Sequence, residues 1–222
     1  MAYDLEEQEQ LASMKAFWNQ YGNLITWVLI IALASFAAYN FWNSRSRGQV
    51  ADASNLYEEL QRAATVSETE KPDNAKVQRI AADIETRFAS TAYGQMAALM
   101  AAKSAFDASD LKTAKTQLQW VIDHGNDEYR AVAKLRLAGV LLDDKAYDDG
   151  LKLLATEFPA AFSAEVADRK GDILVAQNKL AEARAAYIVA LAAMDKKSPA
   201  RPLVQLKLEA IGGTAPEVKA PA

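Results

Sequence analysis

Residues 131–154 read AVAKLRLAGVLLDDKAYDDGLKLL. Two helix-forming stretches flank the polar run Asp143, Asp144, Lys145, and a small residue stands midway in each: Ala138 in the first, Gly150 in the second. Small residues at such points let neighbouring helices approach closely. Working outward, the same arrangement recurs on both sides. Ala102, Ala138 and Gly171 lie 36 and 33 residues apart. Nine residues before them stand Tyr93, Tyr129 and Phe162, and nine after stand Leu111, Tyr147 and Leu180. Twelve after come Ala114, Gly150 and Ala183, and sixteen after come Leu118, Leu154 and Tyr187. Five columns therefore agree across three units.

A period near 34 with this small and aromatic pattern predicts a degenerate tetratricopeptide-like array of paired helices. The small residues mark close contacts between the helices of a pair, and the large residues nine and sixteen positions on are predicted to fill the space between units. Turn signals fall at 107–110, 143–145 and 177–179, and Phe158-Pro159 breaks two units apart. Helices predicted over 49–65 and 74–88, joined by the polar SETEKPD stretch, cap the N-terminal end. A last helix over 200–211 is predicted to cover the third unit with Leu203, Leu206 and Leu208. The tail GGTAPEVKAPA has no apolar period and is expected to be disordered.

Composition supports a nearly all-helical chain. Of 222 residues 45 are alanine, whereas glycine and proline together number 15, too few for an all-β sandwich or barrel. Zero cysteines exclude disulfides and thiolate chemistry, and one histidine excludes a multi-histidine metal site. A net charge of -4 argues against nucleic acid as a partner. No charged residue occurs over 16–44, and residues 24–42 read LITWVLIIALASFAAYNFW with aromatic residues at both ends. Such a run is long enough to cross a hydrocarbon core of about 30 Å. The preceding Asp4, Glu6, Glu7 and Glu9 oppose a signal peptide, although Ala32-Leu33-Ala34 has the form of a cleavage site. The fold class is therefore all-α: a single N-terminal transmembrane helix followed by a helical repeat solenoid. The expected boundaries are a short N-terminal segment at 1–22, the span at 23–43, the repeat domain at 44–211 and the tail at 212–222. Flanking charge, Lys15 against Arg45 and Arg47, weakly favours a cytoplasmic body.

No motif for catalysis, cofactor or metal is present. His124 ends a helix, where it would favour the dipole. The pairs Asp127-Glu128, Asp143-Asp144 and Asp148-Asp149 read as caps and solvated turns. Met96 and Met100 fall at core spacing. An envelope hydrolase would require two carboxylates converging in a cleft. What remains is surface: the concave face of such an array binds polypeptide segments. Candidate partner-binding residues on first helices are Lys103, Arg136, Arg169 and Lys170, which also read as ordinary solvated charge. Trp120, on a different face, is the aromatic candidate and also reads as packed.

The acidic N-terminus, the single span ending in YNFWNS (39–44) and the repeat body resemble the ancillary SecYEG translocon subunit family of Gram-negative bacteria, the YfgM family. The stretches carrying the likeness are LKTAKTQLQWVID (111–123), 131–154, and AEVADRKGDILVAQNKLAEARAAYIVAL (164–191). The resemblance implies a non-enzymatic inner-membrane protein with one span, a cytoplasmic N-terminus and a periplasmic body. It also implies two partners, the SecYEG channel and a membrane-anchored, prolyl-isomerase-like (PpiD-like) periplasmic chaperone, and a link to envelope stress. A periplasmic body is opposite to the weak charge bias. The remaining interaction reading is a tethered scaffold of another envelope machine, such as cell-wall or pilus assembly.

Overall fold

The computed structural model describes residues 2–65 and 73–214, with side chains for 7–42, 48–65 and 73–214. Most of the SETEKPD stretch, tail residues 215–222 and the side chains of Arg45 and Arg47 lie outside the described residues. The chain divides into two units, Met1–Ala51 and Asp52–Ala222.

The first unit is helical throughout its described residues, all within α1 (Ala2–Ala64). Its apolar stretch, Glu7–Trp42, is 36 residues long and has the length and composition of a membrane span. Leu24, Trp27, Phe36 and Trp42 all point outward, as a lipid-facing helix requires. The helix predicted over 49–65 is the last part of α1, which runs on through 45–48.

In the second unit the end of α1 is followed by α2 (Asn74–Phe88), α3 (Ala92–Asp107), α4 (Leu111–His124), α5 (Asp127–Asp143), α6 (Tyr147–Leu154), α7 (Ser163–Ala176), α8 (Leu180–Ala193) and α9 (Arg201–Ala210), with a 3-10 turn at Ala160–Phe162 before α7. The pairs α3/α4, α5/α6 and α7/α8 are the three predicted repeats. Each turn within a pair is built alike. Ser109, Lys145 and Asn178 take left-handed backbone, φ 61°, 61° and 59°, and occupy one column seven residues after the reference positions. The following amides close back on the helix just ended: Asp110 N donates to Ala105 O, Ala146 N to Leu141 O, and Lys179 N to Leu174 O. This is the Schellman closure of a helix C-terminus. Asp110 then caps α4 by accepting from Thr113 N at 3.0 Å.

The core follows the columns. Ala102, Ala138 and Gly171 are buried, as are Ala114, Gly150 and Ala183, and Leu118, Leu154 and Tyr187. Among the described residues the buried apolar side chains gather in four clusters, each drawn from three successive helices: α1 to α3, α3 to α5, α5 to α7 and α7 to α9. Two expectations need correction. Leu180 is 38% exposed, in the unit that no further repeat follows. Leu203 and Leu206 do not cover the third repeat; they are 56% and 63% exposed. Instead Val204 and Leu208, four apart and hence on one helix face, turn inward and carry that role.

Candidate functional site

The first helices of adjacent repeats, α3 with α5 and α5 with α7, lie side by side. Between them opens a groove of about 410 Å³. The structure brings Lys103, Arg136 and Arg169 to this one groove, from three different repeats. Arg136 and Arg169 share a column, two residues before the reference position; Lys103 lies one residue after it, nearly one helical turn further along. Apolar lining comes from Phe106, 38% exposed, with Leu118, Val140 and Leu142.

The three cations differ in their bonding. Lys103 pairs with Asp107 on its own helix. Arg169 is half-buried and reaches Asp172 at 3.5 Å. Arg136 is exposed and makes no ion pair among the described residues. Near the C-terminal end of α5, Gly139 faces Arg169, whose Cζ lies 3.7 Å from where a Cβ would stand. Glycine in a helix interior costs about 1 kcal/mol relative to alanine. Here it leaves open a groove that a larger side chain would fill. Gly139, a glycine inside a helical pattern, is the signal in the sequence that marks this groove.

Lys170 is exposed and does not line the groove. Trp120 packs against the α3–α5 cluster and stacks on His124, with ring centroids 4.5 Å apart. His124 Nδ1 lies 2.9 Å from Trp120 O, one turn back, so the histidine is held at its helix end as expected. The acidic pairs serve locally. Asp127 binds Arg130 at 2.8 Å, Asp144 binds Lys115 at 2.7 Å, and Asp148 accepts from Gln177 at 2.9 Å.

Beyond the groove, α2 and α4 meet along a polar seam. Gln117 donates to Gln78 at 3.4 Å, and seven residues along each helix Glu85 comes under the influence of His124. Glu85 Oε1 is buried with no hydrogen-bond partner among the described residues. Burial pushes this carboxyl up to about 7, with the His124 charge opposing the rise. A carboxyl raised on folding favours the native state at low pH, and that contribution is lost as pH rises through about 7. Glu85→Gln should therefore raise stability at pH 8 by on the order of 1–2 kcal/mol, discounted for partial solvent screening, and change little at pH 4. Thermal melts at both pH values check this.

Two carboxylates do converge, on α7, but around a cation. Lys207 Nζ from α9 lies 2.9 Å from Asp168 and 2.8 Å from Asp172. The Tyr187 hydroxyl on α8 donates to Asp172 at 2.9 Å. Burial raises the Asp168 carboxyl, while Lys207 acts against the rise. Burial, followed by the Asp172 carboxylate, holds the Tyr187 hydroxyl well above its ordinary range. This network ties α7, α8 and α9 together. It was not legible beforehand, because its members lie up to 39 residues apart and are common residue types.

A family model described as "Tetratricopeptide repeat-like domain" matches residues 15–213. The "Ancillary SecYEG translocon subunit" of Neisseria gonorrhoeae is 33% identical over 216 residues, covering 95% of this chain and all of that one. The protein of the same name from Escherichia coli is 30% identical over 82% of this chain and 85% of its own. That from Haemophilus influenzae is 26% identical over 84% and 89%. No solved structure matches the chain. An apolar N-terminal helix, three helix pairs in one register and a relative matched along its whole length lead to one conclusion: the chain belongs to the non-enzymatic ancillary SecYEG translocon subunit family.

Proposed function

We propose that the protein is an inner-membrane ancillary subunit of the Sec translocon, an adaptor that holds a periplasmic chaperone for secreted or envelope proteins beside the SecYEG channel. In this reading residues 1–22 are cytoplasmic, 23–43 span the membrane and dock against the channel, 44–211 form the periplasmic repeat domain, and 212–222 are a tail. The names of the relatives support the machine. The groove supports the mode of action: three repeats contribute Lys103, Arg136 and Arg169 to one surface with an apolar lining, as a polypeptide-binding face requires. Lys170 and Trp120 belong to secondary contacts outside it.

Capture of the full-length chain through a tag after Ala222, following mild detergent extraction, tests the proposal. Channel subunits and a prolyl-isomerase-like chaperone are the expected companions. Recovery of components of another envelope machine in their place would overturn the assignment. Reversing Lys103, Arg136 and Arg169 to glutamate should lower chaperone recovery at least fivefold while the channel is retained through the span. Unchanged recovery would show that the groove is not the binding face. A periplasm-dependent reporter fused after Ala222 should be active; a silent fusion would make the flanking-charge bias at Arg45 and Arg47 the correct guide to orientation.

A further inference from the structure

We infer that the groove across α3, α5 and α7 selects polypeptide segments carrying a carboxylate among large apolar side chains, and that Arg136 is the residue that reads the carboxylate. The inference rests on the groove being the partner surface, whichever machine it serves. Three cations and one acid, Asp143, line it, and two of the cations are paired on their own helices, so what the groove offers an anionic guest is Arg136. Lys103 and Arg169 are already engaged by Asp107 and Asp172. Of the three, Arg136 makes no ion pair among the described residues, and a guanidinium grips a carboxylate with two parallel hydrogen bonds.

The apolar part of the guest is set by Phe106, Val140 and Leu142. Gly139 keeps the space between them and Arg169 open. A purely apolar segment would strip water from Arg136 without giving it a partner, and a basic segment would meet like charge; both are disfavoured. A polyanion such as nucleic acid gains from many cations in a row, whereas this groove offers one uncommitted cation between apolar walls.

The test uses the full-length chain in lipid nanodiscs and fluorescent leucine- and alanine-rich peptides that differ only in a central glutamate, glutamine or lysine. The glutamate peptide should bind about tenfold more tightly than the glutamine peptide, and the lysine peptide more weakly still. Arg136→Gln should erase the glutamate preference while keeping the weak apolar binding, and Arg136→Lys should restore part of it. Gly139→Leu should abolish binding of all the peptides with helical content unchanged by circular dichroism. Equal binding of the glutamate and glutamine peptides, or an unaltered preference in Arg136→Gln, overturns the inference. So does equal competition by inorganic polyphosphate, which would show a general anion site. The two proposals fail separately: channel capture without peptide discrimination removes only this one, and discrimination without channel capture removes only the translocon assignment.

Discussion

Gly171→Ala is expected to destabilise the repeat domain by about 2–3 kcal/mol, an overpacking cost despite alanine's higher helix propensity. The reason lies sixteen residues on. A Cβ at position 171 would stand 2.6 Å from Tyr187 Cδ1 and 2.9 Å from its Cζ. The first two repeats pair alanine with leucine, Ala102 with Leu118 and Ala138 with Leu154; the third pairs glycine with tyrosine. The smaller member has shrunk where the larger has grown. Gly171→Ala combined with Tyr187→Leu restores the pairing of the other repeats, so the double variant should be more stable than the sum of the two single changes predicts. Calorimetry of the full chain should show a drop of about 5–10 °C for Gly171→Ala alone and a partial return in the double variant. Strict additivity would mean that the two residues do not share one packing site.

Lys207→Met should cost about 3 kcal/mol, because it leaves Asp168 and Asp172 partly buried without their common cation. The loss has a pH signature. Burial already raises Asp168 and Lys207 restrains it, so removing the ammonium raises the carboxyl further. A carboxyl raised on folding is tolerated when protonated and costs stability once pH passes its folded value. The deficit of the variant should therefore be largest near pH 8 and shrink toward pH 5. Denaturant titrations at several pH values would read it, and a deficit independent of pH would show that Lys207 acts through packing alone.

The repeat architecture was legible because it is carried by small residues, whose positions are fixed by how closely backbones approach. Ala102, Ala138 and Gly171 fixed the register that the turns at Ser109, Lys145 and Asn178 share. The orientation of the last helix was not legible: Leu203, Leu206 and Leu208 cannot all face inward with Val204, since successive residues turn by about 100°. Only the packing of α9 against α7 and α8 selects Val204 and Leu208. The groove was partly legible. Arg136 and Arg169 fall in one column, but Lys170 is a sequence neighbour outside the groove, and Trp120 is packed against the α3–α5 cluster. Gly139 and Phe106 complete the groove, and Glu85 meets His124 only because α2 and α4 are brought together.

Among the described residues no apolar cluster reaches beyond four successive helices, so none holds the two ends of the repeat domain together directly. Such a body behaves as links in series. Tension between α9 and the first helix would be carried equally by every link, so the weakest link opens first while the others stay closed. A domain built this way yields at one link and reseals there, without unfolding as a whole.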